Sequence, residues 1–352
     1  MKDINSDKIH MLESMIQDAE NICIVTHMKP DGDAMGSATA MYHYLKNLDK
    51  KSRIVLNDPY PQYLSFIISE EQEQDIIIYN GNSTEAFDAI TGSDLVICLD
   101  FNAFHRTDRL EQALEQSKAD KILIDHHLNP ARKLFKLSFS EIEVSSASEL
   151  LYHILSGTSN INGDASRLGK ECAQALMTGM TTDTNNFANS VFPSTLHMAS
   201  DLLAAGTDRD YILNRIYNQY GENRLRLMGH MMKDLMKITP DGVAYIVLDK
   251  ETQEKYSTAE GDTEGFVNMP LSIAEVRMSI LAKEDTDRIR ISIRSKRGTS
   301  ANMCARRFFN GGGHENAAGG RLMIPENVSN VNEVGNYIEK TTHIFLNDED
   351  NI

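Results

Sequence analysis

The first half of the chain alternates unbroken apolar runs with helical patterns. Leu95-Val96-Ile97-Cys98-Leu99 fills the run 94–99, and Ile122-Leu123-Ile124 fills 121–124. A strand with one wet face alternates apolar and polar residues, whereas a uniformly apolar strand is covered on both faces. Segments 21–26, 52–56 and 75–79 supply three further strands. Between them, 34–48 reads as a helix with Ala34, Ala38, Met41, Tyr44 and Leu45 on one face, and 85–91 as another. Strands alternating with helices predict an α/β fold with a parallel sheet and right-handed crossovers. Ligands of such sheets bind beyond the C-terminal strand ends.

Four acidic patches fall where strands or helices should end. They are His27-Met28-Lys29-Pro30-Asp31-Gly32-Asp33, then Asp100, then Asp125-His126-His127, and finally Asp183 within Thr181-Thr182-Asp183-Thr184. Carboxylates and imidazoles at buried strand ends cost desolvation energy unless cations or hydrogen bonds compensate them. His27, Asp31 and Asp33 can turn toward one point from a loop shaped by Pro30 and Gly32. The same aspartates could instead cap the helix that starts at Ala34. Adjacent histidines on a strand end point in different directions, so one of His126 and His127 can bind a metal while the other faces a substrate. An oxygen-rich set with a few imidazoles favours Mn²⁺ or Mg²⁺ over thiolate-loving metals. Two divalent ions about 3.5–4 Å apart, sharing a carboxylate, would activate a water between them and suit phosphoester or phosphoanhydride hydrolysis.

From Ser146 onward the pattern turns helical, with helices expected over 147–155, 168–179, 194–204, 209–220 and 225–238. After the Pro240-Asp241-Gly242 turn come strands at 243–248, 274–283 and 288–295. An edge strand at 321–324 and a final helix at 331–345 complete the reading. The expected organisation is a catalytic α/β domain over 1–205, a helical linker over 206–238 and a smaller α/β domain over 239–345.

The chain has 352 residues and a formal net charge of −16. That balance argues against coating long nucleic acid, which requires neutralising many phosphates. It leaves room for a short phosphorylated substrate held by metal ions and a few local arginines. No segment has the length of a membrane span, and the N-terminus lacks a signal-peptide core, so a cytoplasmic protein is expected. Cys23, Cys98, Cys172 and Cys304 show no C-x-x-C spacing and read as buried, reduced thiols.

The second half contributes Asn310-Gly311-Gly312-Gly313-His314-Glu315-Asn316-Ala317-Ala318-Gly319-Gly320, a Gly-rich loop whose backbone could approach an anion closely. His314 could donate to a phosphate or ribose, and Arg294 could hold a phosphate bidentately. Lys296 and Arg297 read as a solvated edge.

Together, His27-x-x-Pro30-Asp31-Gly32-Asp33, Asp100, Asp125-His126-His127 and Thr182-Asp183 resemble the motifs of the DHH phosphoesterase superfamily. Gly311-Gly312-Gly313-His314-x-x-Ala317-Ala318-Gly319 resembles the signature of its associated C-terminal domain, as does Glu264-Gly265-Phe266-Val267-Asn268. The resemblance spans residues 22–322 and is nearest the standalone nanoRNase/pAp phosphatase branch. It implies that His27 and Asp31 hold one Mn²⁺, with Mg²⁺ the other candidate. Asp33, His126 and Asp183 would hold a second ion, and Asp100 would bridge the two. His127 would stand beside the reacting phosphate, with Asp125 orienting the histidines. Arg294, Gly312, Gly313 and His314 would bind substrate. The implied substrates are short oligoribonucleotides or 3′-phosphoadenosine 5′-phosphate. The alternatives are cyclic di-AMP or pApA, polyphosphate or pyrophosphate, and an inactive nucleotide-binding regulator. No long nucleic acid and no membrane are expected as partners, and a homodimer is compatible with the sequence.

Overall fold

Six parallel strands form the first sheet: β1 (Asn21–Val25), β2 (Lys51–Leu56), β3 (Ile76–Ile78), β4 (Leu95–Leu99), β5 (Asp120–Asp125) and β6 (Leu137–Ser140). The computed structural model that shows them describes residues 4–259 and 261–347. The spatial order is β3-β2-β1-β4-β5-β6. The chain therefore winds outward from β1 to β3, then returns to the other side of β1 with β4. The reversal leaves a crevice beyond the C-terminal ends of β1 and β4, where doubly wound sheets bind ligands.

The apolar runs behave as expected of strands covered on both faces. Ile22, Ile24, Ile97, Leu99, Ile122 and Ile124 pack toward one layer that includes Met35, Leu150 and Leu176. Their neighbours Cys23, Val25, Val96, Cys98 and Leu123 pack toward the other, with Ile90, Phe104 and Leu114. Successive side chains on a strand point to opposite faces, so each run serves two cores at once. All four cysteines are buried free thiols.

Three helices on the first face carry the site. They are Gly32–Asn47, Ala147–Ser156 and Lys170–Asp183. Glycine sets how near they come. A Cβ at Gly36 would lie 2.7 Å from the Ala175 carbonyl oxygen and 2.8 Å from Gly179 N, while one at Gly32 would strike Thr182. The helices thus meet backbone to backbone, which delivers the start of Gly32–Asn47 and the end of Lys170–Asp183 to one place.

The chain divides into two units, the first ending at Gln219 and the second beginning at Tyr220. The stretch 206–238 is shared between them. Asp208 caps the helix Arg209–Tyr217, which packs on Lys170–Asp183 in the first unit. The helix expected over 225–238 is shorter: Glu222–His230 passes into a π turn, Met231–Leu235, closed by the Met236 N–H donating to Met231 O. Lys237–Ile238 is then strand β7, paired with the next strand.

The second unit holds a mixed sheet ordered β11-β12-β10-β9-β8-β7. Its strands are β7, β8 (Val243–Leu248), β9 (Met278–Glu284), β10 (Arg288–Ser295), β11 (Gly312–Gly313) and β12 (Ala317–Met323). Only β8 and β9 run parallel. The strand expected at 321–324 is longer and lies inside the sheet, because β11 covers its outer edge. The expected Gly-rich loop is largely a hairpin. Gly311 and Gly320 serve close packing there: a Cβ on Gly311 would lie 1.9 Å from Gly319 O, and one on Gly320 2.3 Å from Phe309 O. Ala301–Phe308 and Val334–Asn347 cover one face of this sheet. Among the described residues no helix is long and apolar enough to cross a membrane.

Candidate metal centre

The acidic patches converge at the crevice. His27 follows β1 by two residues, and Asp31 caps the helix Gly32–Asn47, accepting from Asp33 N and Ala34 N. The capping reading of Asp31 is therefore correct as geometry, and the same side chain also faces His27, Oδ1 to Nε2 at 3.8 Å. Asp33 sits in the first helical turn, fully buried. Its Oδ2 accepts from Ala147 N at 2.6 Å and its Oδ1 from Ser148 N at 2.9 Å. Those N–H groups are orphan donors at a helix N-terminus, where a carboxylate is favoured. Asp100 follows β4 with φ 64°, a left-handed conformation that turns the chain sharply at the sheet edge. Asp125 ends β5, and Asp183 ends the helix Lys170–Asp183.

Two donor sets result, linked by a third group of Asp100, His126 and His127 that overlaps each of them. His27, Asp31 and Asp100 form one, and Asp33, His126 and Asp183 form the other. Asp100 Oδ2 lies 3.4 Å from His27 Nε2, and its Oδ1 lies 3.5 Å from His126 Nε2. His126 Nε2 is also 3.9 Å from Asp33 Oδ2 and 3.7 Å from Asp183 Oδ2. His127 stands beside them, Nδ1 3.7 Å from Asp100 Oδ1 and hydrogen-bonded at 2.7 Å to Asp125 Oδ1.

These residues fit divalent cations. Separations of 3.4–3.9 Å are too long for good hydrogen bonds. They approach the spacing of two ligands that share an ion at about 2.1 Å. Asp100 Oδ1 is buried and accepts no hydrogen bond among the described residues, which is costly for a carboxylate oxygen without a cation. His27 Nδ1 lies 2.8 Å from the Met28 carbonyl, which can only accept. The Nδ1 proton is thereby fixed, and Nε2 is the nitrogen that faces Asp31 and Asp100, the one a metal-binding imidazole uses once its second proton is displaced.

The metal-free electrostatics show the same demand. Burial, then the charge of Asp100, pushes the Asp33 carboxyl up to about 7. Burial and the Asp33 charge raise Asp183 well above the usual range. Burial opposes the charged forms of His27 and His126, but Asp100 outweighs it, holding His27 well above its usual value and His126 at about 10. Burial would raise Asp100, yet the two imidazoles hold it below the carboxylate range. Protons therefore occupy this cluster near neutrality when no cation does.

The direction of the pH effect follows. Each raised group stabilises the metal-free fold below its unfolded value and loses that contribution as pH rises through its folded value. For Asp33 the window runs from about 4 to about 7, and for His126 from about 6.5 to about 10. Asp100 acts oppositely, but only in strong acid. Thermal melts of chelated protein should show Tm falling from pH 5.5 to 8. Calorimetric titration with Mn²⁺ should show affinity rising over the same span, because each ion displaces protons. A metal-free Tm that rises with pH would contradict this proton inventory.

The remaining sequence candidates lie in the second unit. Arg294 on β10 pairs in register with Ser279 of β9 and Ala317 of β12. It is half-buried, its Nη1 donates to Ile293 O, and burial lowers its pKa. Gly312 and Gly313 form β11 opposite Gly319 and Ala318, with Gly313 at φ 151°. His314 makes the turn, its N–H donating to Ala317 O at 2.8 Å. Register thus brings Arg294, Gly313 and His314 to one end of this sheet. The first unit alone brings together the other eight.

Sequence reading missed the clasp on Asp33 by Ala147 and Ser148. The Ser146-x-x-Glu149 pattern marks a helix start, but nothing local to Asp33 says that this helix points at it.

Comparison with known proteins matches the model described as "DHH family, N-terminal domain" to residues 21–180 and the "DHHA1 domain" model to residues 241–340. The chain is 25% identical over 308 residues to the bifunctional oligoribonuclease and PAP phosphatase NrnA of Bacillus subtilis, covering 86% of this chain and 90% of that one. The NrnA of Thermus thermophilus is 28% identical over 326 residues, covering 90% and 89%. A crystal structure of an exopolyphosphatase-related protein from Bacteroides fragilis superposes with a TM-score of 0.91 at 37% identity, covering 98% of each chain. Two domain models over most of the chain, on a fold shared with a close structural relative, show that it belongs to the DHH family, with a DHH domain in the first unit and a DHHA1 domain in the second.

Proposed function

We propose that this chain is a metal-dependent phosphoesterase that hydrolyses short oligoribonucleotides and 3′-phosphoadenosine 5′-phosphate. The observation that carries this reading is the pair of donor sets linked by Asp100, which stands between His27 of one and His126 of the other. Its relatives by name, the NrnA proteins, match over most of both chains. His27, Asp31 and Asp100 would hold one divalent cation, and Asp33, His126, Asp183 and Asp100 the other. A set of four carboxylates and two imidazoles lies between the oxygen sites of Mg²⁺ and the nitrogen-rich sites of later metals, which favours Mn²⁺. Bound there, the cations supply charge to offset that on a phosphoryl group and hydroxide at neutral pH.

The protein's own groups do the positioning. Asp125 takes the Nδ1 side of His127 at 2.7 Å, which leaves the ring's Nε2 on the opposite side as the atom proposed to meet a phosphoryl oxygen or leaving group. The Met28 carbonyl and the Ala147 and Ser148 N–H groups fix His27 and Asp33. Arg294, Gly312, Gly313 and His314 are proposed to grip the nucleotide, the guanidinium having no carboxylate partner among the described residues to compete with a phosphate.

The test is a substrate panel run with Mn²⁺ and with Mg²⁺: RNA dimers to pentamers, pAp, pApA, cyclic di-AMP and polyphosphate. The expected order puts RNA oligomers and pAp first, with Mn²⁺ the better ion. Turnover of cyclic di-AMP or polyphosphate more than about tenfold faster than any RNA oligomer would replace this reading. So would full activity in excess chelator.

A further inference from the structure

Glu149 lies in the same first helical turn as the Ala147 and Ser148 N–H groups that hold Asp33, and it is a buried acid bonded on several sides outside the metal cluster. Its side chain is completely buried. Oε2 accepts from Ser145 N at 2.8 Å, Ser145 Oγ at 2.5 Å and Thr195 Oγ1 at 2.6 Å. Oε1 makes no hydrogen bond among the described residues and faces His153 Nε2 at 3.6 Å. The Glu149 N–H in turn donates to Ser146 Oγ at 3.0 Å.

Part of this is helix capping: Ser146 is the N-cap of Ala147–Ser156 and accepts from Glu149 N, while the Glu149 side chain reaches back past it to Ser145 N. A capping glutamate, however, needs one donor and sits comfortably in water. This one gives up all exposure and takes three donors from two elements. Thr195 belongs to the helix Pro193–Ala204, where its Oγ1 also accepts from Phe192 N at 3.0 Å. Glu149 therefore ties the loop before one helix to the first turn of another.

What that tie restrains is the pair of N–H groups at Ala147 and Ser148. They lie between Ser146 and Glu149 in sequence, and they clasp the Asp33 carboxylate at 2.6 and 2.9 Å. If Ser145 or the first turn shifts, both donors shift, and Asp33 loses the orientation that aims Oδ2 toward His126. We propose that Glu149 is a positioning residue for the second cation, acting through the helix N-terminus that holds Asp33, with Thr195 as its anchor. This rests on the reading of Asp33 as a metal ligand.

The experiment is calorimetric titration of the full chain with Mn²⁺ alone, comparing wild type, Glu149→Gln, Thr195→Val, Thr195→Ser and Asp33→Asn. A glutamine at 149 keeps the shape and one acceptor oxygen for Ser145 and Thr195, but it removes the carboxylate charge and turns its NH2 group toward His153. Glu149→Gln should weaken one of the two ions by about 10–100-fold and leave the other within about twofold. Thr195→Val should weaken the same ion, and Thr195→Ser should restore it, which a purely structural defect would not reproduce. If Glu149→Gln does not fold, the two threonine variants decide alone. Wild-type affinity for both ions in Thr195→Val, or in folded Glu149→Gln, overturns the inference. Asp33→Asn separates the two failures: if it too keeps both ions, the metal reading itself is wrong.

Discussion

Asp100→Ala should lower turnover by roughly a thousandfold or more, the scale on which losing a preorganised charge at a reacting centre is felt. It should also abolish tight binding of one ion and weaken the other. Asp100 belongs to the His27–Asp31 set and also reaches the imidazole of the other, with one oxygen 3.4 Å from His27 and the other 3.5 Å from His126. It is also the carboxylate that keeps both imidazoles charged in the metal-free protein. Without it, His27 and His126 return toward neutrality and the remaining acids repel one another. Rate measurements with Mn²⁺ on an RNA dimer, beside a calorimetric stoichiometry, check the expectation. Turnover within about tenfold of wild type would end the claim that this cluster is the reaction centre.

Gly36→Ala should destabilise the first unit by about 2 kcal/mol, although alanine is the better helix former by about 1 kcal/mol. The new methyl would collide with backbone, 2.7 Å from Ala175 O and 2.8 Å from Gly179 N and Cα. Backbone cannot rotate aside, so the helices Gly32–Asn47 and Lys170–Asp183 must separate. Because Asp33 opens one of those helices and Asp183 closes the other, ion affinity should fall as well. Urea unfolding monitors the first effect as a lower midpoint at unchanged slope, and Mn²⁺ titration the second. A midpoint at or above that of wild type would mean that the helices have slack that their spacing does not show.

Much of the first unit was legible because its strands are short apolar runs and its reactive residues follow them directly. Asp100 and Asp125 stand out after Leu99 and Ile124 for that reason. Strand β6 was not legible: Leu137 and Phe139 are its only buried residues, alternating with serines over four positions. The helix Ser6–Asp18 was passed over because its apolar face is only Ile9, Leu12 and Ile16. In the second unit, glycines at 311–320 suggested an open loop, whereas the backbone pairs with itself there and glycine is required by crowding. The clasp on Asp33 and the left-handed turn at Asp100 are products of long-range packing, which no window of sequence encodes.

The proposed donors to the cations arrive in the chain between His27 and Asp183 and come from four separate segments. Closing so many distant loops costs entropy before any ligand contact repays it, so the cluster cannot exist in a partly formed chain. A ribosome must therefore deliver the sequence through Asp183 before the protein can discriminate a divalent ion from the surrounding pool. On the proposed metal dependence, occupancy would feed back on the fold by mass action, and cellular metal supply would set this enzyme's abundance as well as its rate.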